Sequence, residues 1–391
     1  MASWQPASRA LMAGNFAIGC GVMVVPGSLN DLSQSLAVSA AVAGQLITAG
    51  AVAMGTCAPL LAAALARFDR RALLVFALLW YGVGHALAAL APGYATLLPL
   101  RALSVLGAAV FTPQAAAVIS FLAPAEQRGR AITTVFLGWS LSSVLGMPLG
   151  SFIAETFGWR WAFAFVALLS ALAALGVWRA VPSGVKPAVL SWDGWRKALT
   201  HPVLMAMVAV TALSSAGQFT LFSYFAPYYR GVLGASATQV SLLFFWFGAF
   251  ALLGNVLVSR HVDRLGAARC VNMALVLMAL SLLLWPLTGP QGALGGIAGM
   301  AFVLVPWALG CFACNSAQQA RLSQASQAYA PALLALNTSA IYTGQALGAA
   351  GGGALLAASG FGPLPWAGLT WMLLAMALSV WATRRMRTAH V

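Results

Sequence analysis

The chain is expected to fold as an all-α membrane protein, with twelve transmembrane helices in two six-helix halves related by pseudo-symmetry. Three observations lead there. Hydrophobic residues make up 61% of the 391 positions, charged residues 7%, and the mean hydropathy is +0.89, whereas soluble domains carry about 25% charged residues. Twelve long apolar runs, six on either side, flank the stretch 179–202 (RAVPSGVKPAVLSWDGWRKALTHP), whose two Arg, two Lys and one Asp keep it out of a bilayer. Landmarks also recur across that stretch at an offset of about 194 to 198 residues, the internal repeat of a transporter fold. Asp69-Arg70 answers to Asp263-Arg264, Pro113 nearly to Pro306, and Gly146 and Gly150 to Gly344 and Gly348. The expected organisation is therefore a bundle over 1–178, a cytoplasmic linker over 179–202 and a second bundle over 203–391.

A hydrocarbon core about 30 Å thick takes about 20 helical residues per crossing, and each run meets that length. Span one, 10–27, carries Asn15 and ends at Pro26-Gly27. Spans two to six are expected at 40–65, 72–90 (with His85), 96–121 (with Arg101 and Pro113), 131–154 and 161–178. Spans seven to twelve follow at 203–228, 238–258, 270–287, 293–314, 332–358 and 364–382. A secretory signal is the rival for span one, but a single Arg precedes a long apolar region, and removing it would break the two-half symmetry. No run alternates polar and apolar residues with period two, so a barrel is not supported. The five cysteines (Cys20, Cys57, Cys270, Cys311, Cys314) lie in or beside apolar runs, which argues against a disulfide framework. Cys311 and Cys314 read as small packing residues.

Charge placement predicts the orientation. With the N-terminus cytoplasmic, Arg9, the Arg67–Arg71 loop, Arg128, Arg130, the linker, Arg260, Arg264, Arg269, Arg321 and the tail Arg384, Arg385 and Arg387 are all inside, 17 of 20 basic residues. Arg160 and Arg230 fall outside, and Arg101 lies within a span. Cytoplasmic loops carry such an excess because basic residues resist translocation. The net charge of +14 thus marks topology and gives no reason to expect a nucleic-acid partner.

The loop Ser259-Arg260-His261-Val262-Asp263-Arg264-Leu265-Gly266 resembles the loop motif of the major facilitator superfamily, which recurs between spans two and three and between eight and nine. The second copy keeps Asp-Arg-x-Gly; the first, Arg67 to Arg71 with Asp69, has Ala66 where the motif's Asp falls. Leu97-x-x-x-Arg101 before Gly107 is similar to the family's arginine motif. Gly138-Trp139-Ser140 leading to Gly146-Met147-Pro148-Leu149-Gly150 resembles the span-five motif of its exporters. Gly158-Trp159-Arg160, Tyr224-x-x-Pro227-Tyr228 and Leu336-Asn337-Thr338 resemble the twelve-span drug:proton antiporter and sugar-efflux branch. The resemblance covers essentially the whole chain.

The resemblance implies a gate on the cytoplasmic face, where Asp69, Arg70, Arg71, Asp263, Arg264 and Gly266 would lock helix ends; the alternative is that these charges only set topology. It also implies that span five, through Gly146, Pro148 and Gly150, meets a helix of the other half. Glycines four apart permit close approach and proline introduces a bend, though ordinary tight packing would ask for the same residues. Related proton-coupled exporters carry an acid in span one upstream of the Pro-Gly pair, and here the matching residue is Val22. Coupling would then fall to Arg101 with Asp31, Glu155 or His85, whose imidazole titrates near neutrality. Arg101 lies one to two turns inside the outer end of span four, so snorkelling to the interface is the competing reading. Asp31 or Glu155 is expected to approach Arg101, with Arg160 the other partner for Glu155.

Asn15, Gln114, Gln218, Tyr224, Trp307, Asn337, Tyr342 and Gln345 are candidates for a cavity that takes a small neutral or amphiphilic solute; the competing reading is that such amides cross-link helices. The expected function is export by alternating access, coupled to proton antiport, in a multi-pass protein of the inner (plasma) membrane. A proton-independent facilitator or uptake carrier is the alternative. A membrane-embedded enzyme would need a cluster of His, Asp or Glu near one face, and the four His and six acids are scattered; a transporter-like receptor would add a long tail. The expected partners are a small-molecule substrate, protons and the lipid bilayer, with the chain a monomer and no cofactor or metal called for.

Overall fold

The computed structural model describes residues 4–65, 68–124, 128–185, 192–290, 292–326 and 329–389, and their regular elements are all helical. Span one is α1 (Trp4–Gly27), followed by the short α2 (Leu29–Ser35) on the face opposite the termini, the far face. Spans two and three are α3 (Ala40–Ala64) and α4 (Arg70–Ala89). Span four is α5 (Tyr94–Ser104) and α6 (Leu106–Leu122), and span five is α7 (Arg128–Leu141), a π-segment (Ser142–Gly146) and α8 (Met147–Phe157). Span six is α9 (Trp159–Ala180), and α10 (Trp192–Thr200) lies in the linker. Span seven breaks into α11 (Pro202–Phe222) and α12 (Phe225–Gly231); α13 (Ala237–Leu265), α14 (Ala267–Leu284), α15 (Gly296–Ala325), α16 (Ala330–Ser359) and α17 (Leu364–Ala389) complete the chain.

Eleven of these spans are long and apolar enough to cross a membrane. The remaining one, α16, is 30 residues long and carries Asn337, Thr338, Tyr342, Gln345 and a run of glycines, which dilute its apolar residues through the middle of the helix while its length still exceeds the bilayer. Together they make the twelve crossings of two six-helix halves.

The breaks have local causes. Pro148 has no N–H for the Val144 carbonyl, and the turn before it widens into the π-segment. Hydroxyls shore up that turn: Ser142 Oγ donates to Trp139 O at 2.7 Å and Ser143 Oγ to Ser140 O at 2.8 Å. Pro227 likewise leaves the Ser223 carbonyl without its helical donor, and α11 gives way to α12 around Tyr224. A capping box, Ser236 with Gln239, starts α13. Gly266, at φ +84°, ends α13 and begins α14, a conformation that suits only glycine.

Helix association within lipid rests on close packing rather than on water exclusion. In the first half α4 packs on α9 and α6, and α1 on α7 and α9; in the second, α11 packs on α16 and α17, and α15 on α13 and α14. Two seams join the halves: α3 against α16, and the π-segment and α8 against α13. Span five therefore does meet the other half, but by a different residue from the one its glycines suggest. A side chain at Gly248 of α13 would collide with the Ser143 backbone. Gly146 instead faces Cys20 of α1, and Gly150 has no atom within 4 Å of a notional Cβ. Their counterparts Gly344 and Gly348 sit against the α11 backbone at Ala212 and Ala216, so Gly146, Gly344 and Gly348 serve packing within a half and Gly150 serves no close contact.

Candidate functional site

The solute candidates divide by environment. Asn15 is fully buried in α1; its Nδ2 donates to Val135 O (3.0 Å) and its Oδ1 accepts from Thr112 Oγ1 (2.9 Å). Asn337 accepts from Thr211 Oγ1 at 2.6 Å, tying α16 to α11. Tyr224 donates to Ala349 O at 2.8 Å. Trp307 is buried in an aromatic cluster with Phe225 (5.4 Å between centroids) and Trp285 (5.9 Å). Tyr342 and Gln345 are buried in α16. Gln114 and Gln218 differ: each is half-buried and makes no hydrogen bond to a described residue.

The sequence reading missed a polar bridge between the halves. Asn255 of α13 donates to Ser140 Oγ of α7 (3.2 Å) and accepts from Ser316 Oγ of α15 (2.6 Å), linking spans five, eight and ten. On the other seam Ser339 Oγ donates to Gly55 O at 2.6 Å. Asn255 follows a helical run with no motif around it, so sequence carries little signal for its role.

Arg101 does not snorkel. It is 3% exposed, and its Nη1 lies 3.1 Å from His85 Nε2. His85 Nδ1 lies 2.8 Å from Tyr81 O, and the Tyr81 hydroxyl donates to Ile18 O at 2.9 Å. A guanidinium only donates, so His85 Nε2 accepts and Nδ1 carries the hydrogen that goes to Tyr81 O. Two coupling candidates from different spans thus form one bonded pair.

The two acids expected near Arg101 are engaged elsewhere. Asp31 accepts from Trp159 N at 2.5 Å, at the start of α9, and from Ser35 Oγ at 3.1 Å; a carboxylate suits the positive end of a helix. Glu155 lies 3.7 Å from Arg230 across the two halves, and accepts from Asn30 Nδ2 at 3.2 Å. The same Asn30 amide donates to Ala226 O at 3.1 Å. Arg160 turns to Ala91 O (2.9 Å) and over the Trp159 ring (4.4 Å). The far face is therefore closed by a latch of Asn30, Glu155 and Arg230.

On the terminal face Asp69 caps α4 by accepting from Ala72 N (3.1 Å), and it also accepts from Gly184 N (2.5 Å) beyond α9. Burial acts to raise the Asp69 carboxyl, but those amides and the Arg71 charge outweigh it and hold the group below its ordinary value. Arg70 Nη1 donates to Leu65 O at 3.2 Å and its backbone N–H to Val185 O at 3.2 Å. Arg264 closes the last turn of α13. The Asp263 side chain, Ala66 and Arg67 lie outside the described residues.

A fold of two packed halves, with an arginine motif in span four and a span-five helix seated on the opposite half, defines a secondary transporter. The model of the Major Facilitator Superfamily matches residues 11–349, and the chain belongs to that superfamily. It is 28% identical over 377 residues to the inner membrane transport protein YdhP of Escherichia coli K12, covering 96% of this chain and 95% of that one. It is 29% identical over 328 residues (84% and 80%) to a protein named probable sugar efflux transporter in Mannheimia succiniciproducens. It is 30% identical over 274 residues (69% of each) to the chloramphenicol resistance protein of Streptomyces lividans. The human organic anion transporter MFSD10 shares the fold, with a TM-score of 0.73 at 16% identity over 98% of this chain and 100% of that one.

Proposed function

We propose that this protein exports a small neutral or amphiphilic solute by alternating access, in exchange for protons. The observation that carries the reading is the pattern of contact between the halves. They meet along two helix seams and end, on the far face, in a latch of one ion pair, Glu155 with Arg230, and one amide hydrogen bond, Asn30 to Ala226 O, while Asn30 also holds Glu155 from within its own half. Such contacts are individually weak, so the halves can part there and close elsewhere at small cost. Efflux relatives and the basic terminal face support export with both termini and the linker in the cytoplasm. In that orientation the far face is the outer face, and this conformation is closed to the outside. The two bundles, 1–178 and 203–391, move as the rocking units, and a monomer suffices.

Gln114 and Gln218, whose amides bond to no described residue, are the proposed solute contacts, and Asn255 joins them as a group that loses its Ser140 partner when the seam opens. Asn15, Asn337 and Tyr224 hold helices in place. The test is a substrate screen in inside-out membrane vesicles with a pH-sensitive dye. An active compound should collapse an imposed proton gradient in vesicles containing this protein and leave control vesicles unchanged. Transport with no proton movement would favour the facilitator reading.

A further inference from the structure

His85 lies where four spans converge, and every hydrogen-bonding position on its ring is taken. Nδ1–H donates to Tyr81 O and Nε2 accepts from Arg101. The groups facing it can be enumerated by element. From α4 itself comes Tyr81, with its ring 4.3 Å away between centroids. From α5 comes Arg101; from α1, the backbone near Gly21; from α9, the Phe163 ring at 5.7 Å. Tyr342 of α16, in the other half, stands near Tyr81. Among the described residues no carboxylate joins this cluster. Asp31 is bonded to the start of α9, Glu155 to Asn30 and Arg230, and Asp69 to the opposite end of α4.

A proton on His85 Nε2 would remove the lone pair that Arg101 uses and set two cations about 3 Å apart in a site without a counter-charge, where Coulomb repulsion is weakly screened. The proton and Arg101 therefore exclude each other. We propose that His85 is the proton-binding group of the cycle, and that the proton and Arg101 exchange places on its Nε2; this rests on the antiport reading above. The proton comes from the far-face water and returns to water on the terminal side, so no other reactant is required. Arg101 lies seven residues into α5, about 10 Å from its far-face end. An opened far face would supply water to solvate it once displaced. In the closed conformation Arg101 reoccupies Nε2 and expels the proton. Proton affinity is then higher in the far-open state, and by linkage acidification shifts the population toward that state.

The experiment needs no substrate. Distance labels are placed on unnatural amino acids at Ser35 and Gly362, one on each half at the far face, in the full chain reconstituted in nanodiscs. Lowering the pH from 8 to 5 should raise the ratio of far-open to far-closed protein about ten-fold in the wild type, within the usual span of coupling between sites. In His85→Gln, whose amide oxygen still accepts from Arg101 but does not titrate, the ratio should stay within about two-fold. If His85→Gln follows pH as the wild type does, antiport survives and the assignment to His85 falls. If the wild type itself does not respond to pH, the proton reading falls and takes the assignment with it. A second readout uses the unmodified ring. The nitrogen NMR signals of His85, identified among the four histidines by their loss in the variant, should show the Nδ1–H tautomer at pH 8 and convert to imidazolium over the pH range in which the distances move. A ring that stays neutral while the distances change would overturn the proposal without relying on any substitution.

Discussion

At Asp69 a single carboxylate serves two backbone amides, Ala72 N–H in the first turn of α4 and Gly184 N–H in the segment after α9. It joins two spans of the same half at the terminal face, which a reading of the loop as a string of topology charges does not suggest. Its carboxyl is held below the ordinary value, so the sign of its pH effect follows. A group lowered on folding contributes stability that is present above the unfolded value, near pH 4, and is lost as pH falls through the folded one. Asp69→Ala should cost about 1 kcal/mol, the usual loss for an N-cap acid. It should appear as a lower Tm in detergent at pH 7, with a smaller gap to wild type at an acid pH under the ordinary carboxylate value, where the group is increasingly protonated. A gap that is the same at both pH values would mean that the charge is not what the cap contributes.

Between elements, what decides the packing is how close two backbones come. The π-segment brings Ser143 against Gly248, where two helices from different halves touch without intervening side chains. Gly248→Val cannot fit while that seam is closed, because its branched side chain would have to occupy backbone space. The variant should fold, as each half packs through other helices. The expected outcome is a far-face label distance shifted to longer values and a loss of transport of at least ten-fold, overpacking costing about 1–3 kcal/mol. Gly150→Ala meets no atom within 4 Å, and should transport at the wild-type rate. Equal damage from the two substitutions would contradict this assignment of the seam.

At the scale of the whole molecule, the balance between conformations rests on few groups. The Glu155–Arg230 pair, with Arg230 38% exposed, is worth about 1 kcal/mol or less, and the Asn30 amide adds one bond across the halves, to Ala226 O. Glu155→Gln removes the charge and leaves an oxygen for Asn30. It should raise the far-open fraction up to about five-fold, the effect of about 1 kcal/mol on an equilibrium, and raised salt should reproduce part of that shift in the wild type. An unchanged distance distribution in Glu155→Gln would show that the amide bond and the two seams close the far face alone.

Length and apolarity of the runs determined the number of crossings, because a bilayer sets a fixed helical length and tolerates few charges. The repeated Asp-Arg and Gly-x-x-x-Gly landmarks marked two related halves for the same reason that any repeated packing problem does: the same small residues are needed at the same place. The arginine motif pointed to Arg101, and the histidine's own chemistry to His85. Their pairing was not legible, since residues 16 positions apart on separate spans meet only through the packing of α4 on α5. Nor was the fate of the far-face acids: Asp31 and Glu155 look alike along the chain, yet one caps α9 and the other reaches across to Arg230. Gly146 and Gly150 have the spacing of a helix contact, but spacing says nothing of which helix, and the contact with the other half passes through Ser143. Composition measures the solvent a segment requires; partners 100 or more residues away are chosen by how helices stack, and only the tertiary structure holds that choice.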